Sequence, residues 1–284
     1  MKIGFIGAGK MALALARGLV SAQVVRAQDI VASARSASSQ ARFLAAFKDA
    51  EGTPVWTASN AEVVQMADVI VLALKPQILP EEAPRLGALL TSDSPKLFIS
   101  VAAGTSLASL SGWLGPCARV IRSMPNTPVL AGYGATVYVG GPEATEDDLE
   151  LAGRILGAGG KAWRIEKEEW MNSVTALSGS GPAYAFYFAE ALAEAGVQQG
   201  LPRPFALELA VQTLLGAAAM MQYPAPNGGT VAPLDLANQV KSPKGTTVAG
   251  CTVLEEQGFF RIVQAAVAAA RLRADELGRP AQSA

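Results

Sequence analysis

The stretch 7-GAGKMA-12 constrains the fold of this chain more than any other feature, because it directly follows an apolar run, 2-KIGFI-6. It matches the pattern G-x-G-x-x-A, in which the first glycine permits a tight turn and the second lets the backbone approach a pyrophosphate. The small third residue, Ala12, allows a helix to pack closely on the strand. Ordinary strand–turn–helix units also carry such glycines. The position after one strand and ahead of a second nevertheless predicts a dinucleotide-binding α/β domain.

Strand-like and helical stretches alternate up to about residue 164, which predicts a parallel sheet covered by helices on both faces. The strands are expected at residues 2–6, 29–33, 69–73, 97–101, 119–122 and 135–139. Apolar residues at helical spacing predict helices over Lys10–Val20 and Ser36–Lys48.

The chain after residue 164 shows no strand signal of similar quality. Glycine and proline instead bound helical stretches at Glu168–Ala176, Pro182–Gln198, Pro202–Met221 and Gly258–Leu277. We therefore predict a dinucleotide-binding domain over 1–164 and an all-helical domain over 165–284. Several of these helices are rich in alanine and apolar on more than one face, which favours a dimer interface.

Composition excludes several classes of function. The chain has no histidine, which excludes His-ligated metal sites and the Ser-His-Asp and Cys-His nucleophiles. Cys117 and Cys251 form neither a metal-ligand spacing nor a disulfide framework. Basic and acidic residues nearly balance, 23 against 24, which gives no electrostatic case for nucleic acid. No uninterrupted apolar run approaches the roughly 20 residues of a membrane span. We expect no metal, no nucleic-acid partner, no membrane and a cytoplasmic location.

The end of the second expected strand, 30-IVASAR-35, indicates which dinucleotide is bound. An NAD site carries an acid there that bonds the ribose hydroxyls. Here Ser33 and Arg35 occupy that region, and a guanidinium clamps phosphate oxygens. NADPH is therefore the expected cofactor and NADH the alternative. A solvated loop charge is the other interpretation of Arg35.

Six motifs occur in this order along the chain: 7-GAGKMA-12, 73-ALKP-76, 100-SVAAG-104, 122-RSMPNTP-128, 177-LSGSGPAY-184 and 242-SPKGTTVAG-250. With them the sequence resembles the pyrroline-5-carboxylate reductases from Lys2 to about Leu277. The resemblance implies reduction of the cyclic imine Δ1-pyrroline-5-carboxylate to L-proline with NAD(P)H, the last step of proline biosynthesis. It also implies a Rossmann-like parallel-sheet domain followed by an all-helical dimerisation domain. The dimers of several members assemble further into decamers.

The resemblance assigns roles to individual residues. The dinucleotide is expected at Gly7, Gly9, Lys10 and Met11, its 2′-phosphate at Ser33 and Arg35, and its adenosine half at Asn60. The route to the nicotinamide is expected to be lined by Ala73, Lys75, Pro76 and Ala103. By position alone, a helix cap is the alternative interpretation of Asn60.

The loop 242-SPKGTT-247 precedes an expected helix at about Thr247–Gln257, and a helix start attracts a carboxylate. A simple capped turn explains the same residues equally well. By resemblance the substrate is expected at Ser242, Lys244, Gly245, Thr246 and Thr247. Lys244 stands where the family commonly has glycine, and its ammonium either strengthens carboxylate binding or is solvated. Thr247 is the expected catalytic residue, as the hydrogen-bonding partner of the ring nitrogen.

Three rival functions differ in their requirements. A β-hydroxyacid dehydrogenase needs a lysine and an asparagine where this chain has Ala185 and Ala189, which counts against that class. A reductase of another cyclic imine without a carboxylate remains open because of Lys244. A non-catalytic NADP-binding dimer would bind the nucleotide without oxidising it.

Overall fold

The structure, a computed structural model, describes residues 1–222 and 231–278. Within them one sheet of eight strands has the order β3-β2-β1-β4-β5-β6-β7-β8. The strands are β1 Ile3–Ile6, β2 Ile30–Ser33, β3 Val55–Thr57, β4 Val69–Leu72, β5 Lys96–Ser100, β6 Ala118–Met124, β7 Gly134–Gly140 and β8 Gly160–Arg164. The six predicted strands are confirmed to within two residues at each end. The sequence patterns missed β3 and β8.

The sheet is parallel except where β7 pairs antiparallel with β6. A parallel connection needs a crossover of about a dozen residues or more. Only residues 125–133 separate these two strands, so the chain turns back and pairs antiparallel.

Helices cover both faces of the sheet. They are α1 Lys10–Ser21, α2 Ala37–Ala45, α3 Asn60–Met66, α4 Leu79–Gly87, α5 Leu107–Leu114 and α6 Glu146–Gly157. Because side chains alternate between the faces of a strand, Phe5 joins one buried apolar cluster while its neighbour Ile6 joins the other. The strands β1, β2 and β4 are buried along their whole length, as expected for a sheet with two covered faces.

The remaining described chain is helical. A short 3₁₀ turn, Glu168–Trp170, leads into α7 Met171–Val174 and a π-helical turn, Thr175–Gly179. The later helices are α8 Gly181–Gln198, α9 Arg203–Gln222, α10 Pro233–Val240, α11 Thr246–Glu256 and α12 Phe259–Leu277. The sequence patterns missed α10, and the other predicted helices differ from these by a few residues at their ends.

The chain forms two compact units. One consists of Met1–Ser180 with the described C-terminal residues from Ala270, and the other of Gly181–Ala269. The first unit continues past residue 164 because Glu168 pairs with Arg122 at 2.7 Å, and because Asn172 Nδ2 donates to Asp275 Oδ1 at 2.7 Å. The predicted division into 1–164 and 165–284 stays a prediction.

The second unit exposes many large apolar side chains, among them Tyr187, Val211 and Ile262. By length and composition α9 is also apolar enough to cross a membrane. One such helix is weak evidence of a membrane span, since ordinary protein helices pass the same test. The expectations of no membrane partner and of a cytoplasmic location therefore stay predictions.

Asp148 gives a test of how α6 is anchored to the sheet. Its Oδ2 accepts from Arg119 Nε at 2.7 Å and from Thr145 N and Oγ1 at 3.0 and 2.9 Å. Burial opposes ionisation of Asp148, but the hydrogen bonds from Thr145 and Arg119 prevail and hold its pKa below the ordinary 3.8. Since the folded-state pKa is the lower one, this stabilisation is present at neutral pH and is lost as the pH falls through the folded pKa.

We predict that Asp148→Asn lowers the free energy of unfolding at pH 7 by about 1–3 kcal/mol. The deficit should narrow as the pH falls below 3.8, because the carboxyl of the unfolded chain takes up a proton before that of the folded chain. Denaturant unfolding at fixed protein concentration measures both effects. Asp147→Asn is the matched control, because Asp147 is exposed in the same helical turn. A deficit as large in the control would contradict the assigned role of Asp148.

Candidate functional site

The candidate site begins where the turn after β1 meets the turn after β4. Gly7 has φ +95°, and a Cβ at this position would stand 2.7 Å from the carbonyl oxygen of Ala73. Gly7 N donates to Ser33 O at 3.0 Å, and Ala73 N donates to Ile6 O at 2.9 Å. Only glycine fits this combination of left-handed backbone and close approach. The carboxyl ends of β1, β2 and β4 are thereby held together.

The first turn of α1 faces open space. Its cap, Gly9, makes no side-chain hydrogen bond, and a Cβ built there would meet nothing within 4 Å. The first N–H groups of a helix have no partner inside the helix. With the positive end of the helix dipole they bind anions. The room above Gly9 fits a diphosphate that approaches the backbone.

A cleft of about 940 Å³ opens at this edge of the sheet. It is lined by Gly7, Ala8, Gly9, Ala34, Arg35, Ser36, Ser39, Ala58, Ser59, Asn60, Ala61, Ala73, Leu74, Lys75, Ile78, Glu82, Arg85, Leu86 and Leu89. This volume is in the range of small-molecule and cofactor sites. The cleft lies at the point where the strand order reverses between β1 and β4, which is the nucleotide position in doubly wound sheets.

Six of the residues predicted to bind the cofactor line the cleft: Gly7, Gly9, Arg35, Asn60, Ala73 and Lys75. The other five lie outside its lining. Lys10 is exposed and Met11 half-buried at the start of α1, Pro76 is half-buried beside Lys75, and Ala103 is exposed after β5. Ser33 is fully buried, and its hydroxyl donates to Asn60 Oδ1 at 2.6 Å.

The sequence patterns missed several cleft residues, above all Glu82. Its side chain is buried, and its Oε1 accepts from Asn60 Nδ2 at 2.5 Å. Two adjacent acids, Glu81 and Glu82, open α4, where acidic residues are common. Helical spacing with the buried Leu79 and Leu86 was the available signal, because it places Glu82 and not Glu81 on the inner face.

The predicted substrate loop lies in the second unit and is described separately. Gly245 N donates to Ser242 O at 2.9 Å, and α11 begins at the next residue. The cap of α11 is Gly245, with no side-chain hydrogen bond, so the simple capped turn considered for this loop is not formed by a Ser242 or Thr246 hydroxyl. The first-turn N–H groups of α11 therefore have no hydroxyl partner from the loop. Thr247 is half-buried in this turn.

Lys244 has φ +59°, in the left-handed region that favours glycine. A glycine, which the resemblance implies at this position, would meet this backbone requirement without strain. The side chain of Lys244 is exposed. No carboxylate of the described residues lies within 4.0 Å of its ammonium, whereas Lys241 in the same loop lies 3.5 Å from Glu255.

The motifs 122-RSMPNTP-128 and 177-LSGSGPAY-184 meet at a π-helical turn. Asn126 Nδ2 donates to Ser178 O at 3.2 Å, and its Oδ1 accepts from Ala135 N at 2.8 Å. A Cβ at Gly179 would stand 2.4 Å from Met124 Cε. Such turns often occur at functional sites. Here the buried Asn126 fixes the turn against the carboxyl end of β6.

Comparison with known proteins agrees with this geometry. A family model described as pyrroline-5-carboxylate reductase dimerisation matches residues 168–277, and one described as NADP oxidoreductase coenzyme F420-dependent matches residues 2–104. The pyrroline-5-carboxylate reductase of Pisum sativum is 42% identical over 275 residues, which cover 97% of this chain and 95% of the relative. The chain belongs to the pyrroline-5-carboxylate reductase family.

Two solved structures of family members share the fold. The Coxiella burnetii pyrroline-5-carboxylate reductase has a TM-score of 0.87 and 34% identity, covering 98% of this chain and 99% of that chain. The Plasmodium falciparum pyrroline carboxylate reductase, solved with NADP bound, has a TM-score of 0.83 and 30% identity, covering 98% of each chain. The predicted fold class, a Rossmann-like domain followed by a helical dimerisation domain, is confirmed.

The two cleft glycines give a matched pair of predictions. Gly7→Ala should lower the free energy of unfolding by about 1–3 kcal/mol, because its methyl group meets the Ala73 carbonyl in a strained backbone. Gly9→Ala should change stability by less than about 0.5 kcal/mol, since its methyl group enters open space. That methyl group stands where the diphosphate is expected, so the second variant should instead weaken dinucleotide binding. Denaturant unfolding and calorimetric titration with NADP⁺ separate the two effects. Normal nucleotide binding by Gly9→Ala would contradict the placement of the diphosphate.

Proposed function

We propose that this chain reduces Δ1-pyrroline-5-carboxylate to L-proline with NAD(P)H, the last step of proline biosynthesis. The observation that carries the proposal is the 42% identity to a pyrroline-5-carboxylate reductase over 97% of the chain. An identity of this size over both units makes the same chemistry the simplest expectation. The start of α11, which has no side-chain cap, supports the proposed position of the substrate. The cleft lined by Gly7 and Gly9 supports the proposed position of the cofactor.

The cleft of the first unit holds the dinucleotide in this proposal. Gly7, Gly9, Lys10 and Met11 bind the diphosphate through the start of α1, and Arg35 binds the 2′-phosphate. Ser33 acts through Asn60, since its hydroxyl proton is already donated to that amide at 2.6 Å. Asn60 itself contacts the adenosine half. The nicotinamide half is bordered by Ala73, Lys75, Pro76 and Ala103. When bound, NAD(P)H supplies a hydride from C4 of its nicotinamide.

The substrate carboxylate binds at the start of α11. The uncapped N–H groups, with Ser242, Gly245 and Thr246, provide the donors, and the helix dipole favours the negative charge. Lys244 adds positive charge beside them. The Thr247 hydroxyl accepts a hydrogen bond from the protonated ring nitrogen and so orients the imine carbon.

The absence of histidine suits this reaction. A cyclic imine binds already protonated, and one hydride added to its carbon gives the neutral amine, with the electron pair of the C=N bond remaining on nitrogen. No developing alkoxide has to be protonated, so the residues supply orientation and charge complementarity and need no strong acid.

The helical region supports self-association. The family model that matches residues 168–277 is described as pyrroline-5-carboxylate reductase dimerisation. The helices of this region expose large apolar side chains in the single chain. A homodimer covers such faces. Assembly of dimers into a decamer and a cytoplasmic location complete the proposal.

Oxidation of NADPH, followed by its absorbance, tests the proposal with two substrates. With pyrroline-5-carboxylate we expect kcat/KM to exceed that with carboxylate-free 1-pyrroline by about 100-fold, the size of one or two charge-assisted hydrogen bonds. Thr247→Val should lower kcat/KM by about 10- to 100-fold with both substrates, because both share the ring nitrogen. Thr252→Val is the matched control, an exposed threonine on the same helix.

The outcomes separate the rival functions. No turnover of pyrroline-5-carboxylate, with NADPH still bound, would replace the proposal with a non-catalytic dimer. Equal turnover of both substrates would favour a reductase of other cyclic imines. Unchanged kinetics of Thr247→Val would remove this residue from the mechanism.

A further inference from the structure

One carboxylate oxygen binds both the start of α5 and the strand β6. Glu168 Oε1 accepts from Leu107 N at 2.7 Å and from Arg122 Nη1 at 2.7 Å. Leu107 is the first residue of α5, and Arg122 lies in β6 with its side chain only 9% exposed. The helix dipole also favours a negative charge at a helix start. Glu168 therefore holds the start of α5 at a fixed place beside the sheet.

The start of α5 has a local cap besides Glu168. Ser106 Oγ accepts from Ser109 N at 3.1 Å, as the capping residue of a helix does. A local cap stabilises the helix but does not fix where the helix lies, because both partners belong to the same turn. The bond from Leu107 N to Glu168 spans 61 residues of sequence. It therefore determines the position of the helix start relative to the rest of the unit.

The end of α12 supports the same region from another side. Arg122 Nη2 donates to Asn172 Oδ1 at 3.4 Å, and Asn172 Nδ2 donates to Asp275 Oδ1 at 2.7 Å. A Cβ built at Gly104 would lie 3.6 Å from Leu277 Cβ, which is ordinary van der Waals contact. The chain between β5 and α5 is thus held at its helix end by Glu168 and packed at Gly104 against the last turn of α12.

Residues 101–106, called here the β5–α5 loop, lie beside the part of the cleft that follows β4. Val101 N donates to Leu72 O at 3.1 Å, and the next residue of that turn, Ala73, lines the cleft. Doubly wound sheets hold one mononucleotide on each side of the point where the strand order reverses. With the adenosine half beside β1 and β2, the nicotinamide half falls at β4 and β5. The exposed Ala103 of the loop lies on that side.

We propose that Glu168 is a positioning residue for the nicotinamide half of the cofactor. It acts through the β5–α5 loop. By binding Leu107 N it fixes the end of this loop, so that the exposed Ala103 borders the nicotinamide ring in the orientation that hydride transfer requires. The inference rests on the proposed function, which places the nicotinamide beside Ala103.

Glu168→Ala tests this role with two ligands. NADP⁺ carries both halves of the cofactor, whereas adenosine 2′,5′-bisphosphate carries the adenosine half and the 2′-phosphate without the nicotinamide. Calorimetric titration of the full chain with each gives the ratio of Kd for NADP⁺ to Kd for the bisphosphate. We expect this ratio to rise by at least about fivefold over wild type, the size of one hydrogen bond. A general loss of stability would weaken both ligands alike and leave the ratio unchanged. A smaller rise, or a wild-type chain that does not bind NADP⁺, overturns the proposal.

Turnover gives a second measurement on the same variant. With saturating NADPH and pyrroline-5-carboxylate, kcat should fall by at least about tenfold, because a small displacement of the reacting ring slows the reaction strongly. An unchanged kcat contradicts the proposal. If the wild-type chain binds NADP⁺ but reduces no imine, the proposed reaction fails, and the ratio of the two Kd values still decides the role of Glu168.

Glu169→Ala is the matched control, since it makes the same change at the exposed neighbour in the same 3₁₀ turn. Its ratio and its kcat should stay within about twofold of wild type, and equal changes in both variants would overturn the proposal. Glu168→Gln keeps an oxygen that can accept from Leu107 N but loses the charge. Because a neutral hydrogen bond has about half the strength of a charge-assisted one, its ratio should rise by at least about twofold. If thermal unfolding shows that the alanine variant is misfolded, Glu168→Gln replaces it, and a smaller rise then overturns the proposal.

Discussion

The close approach of Gly7 to the carbonyl of Ala73 is the constraint on which the cofactor cleft depends. It joins the turn after β1 to the turn after β4, and the same turn is tied to β2 by the hydrogen bond from Gly7 N to Ser33 O. A side chain at this position would separate these three strand ends. The cleft, the open start of α1 and the position of Arg35 all follow from that contact. The first glycine of the G-x-G-x-x-A motif is therefore required by the fold itself, in addition to any role in binding the dinucleotide.

A second regularity lies in how the helices begin. The helices α2, α3, α5 and α6 start with a serine or threonine whose hydroxyl accepts a main-chain N–H, which stabilises the helix end. The helices α1 and α11 start with Gly9 and Gly245, which have no such oxygen, and α4, α7 and α10 likewise begin without a side-chain cap. Each unit thus contains a helix whose first N–H groups remain available to an anion. In the proposed reaction these anions are the cofactor diphosphate and the substrate carboxylate.

Local sequence patterns predicted the parts of the fold that local physics determines. The six predicted strands (β1, β2, β4, β5, β6 and β7) and the turn at Gly7 carry apolar or glycine signals, whereas the five-residue β8 was missed. The antiparallel pairing of β7 depends on a short connection, and the three-residue β3 is too short for a periodic signal. The residues of the candidate site likewise divide into those with a local sequence signal and those that depend on distant contacts. The residues of the glycine motif and Arg35 were predictable from their places next to strands, whereas the hydrogen bond between Glu82 and Asn60 joins residues 22 apart in the sequence. The burial of the Ser33 hydroxyl and its hydrogen bond to Asn60 likewise depend on tertiary packing that the sequence does not show.

A crystal structure of the full chain with NADP⁺ and L-proline tests the central claim, that two uncapped helix starts bind the two anionic groups of the reaction. The account predicts that the diphosphate lies against the N–H groups of Lys10 and Met11. It also predicts that the proline carboxylate accepts hydrogen bonds from the N–H groups of Thr246 and Thr247, with the ring nitrogen at the Thr247 hydroxyl. A diphosphate away from α1, or a carboxylate held by Lys244 alone while water occupies the start of α11, would contradict it.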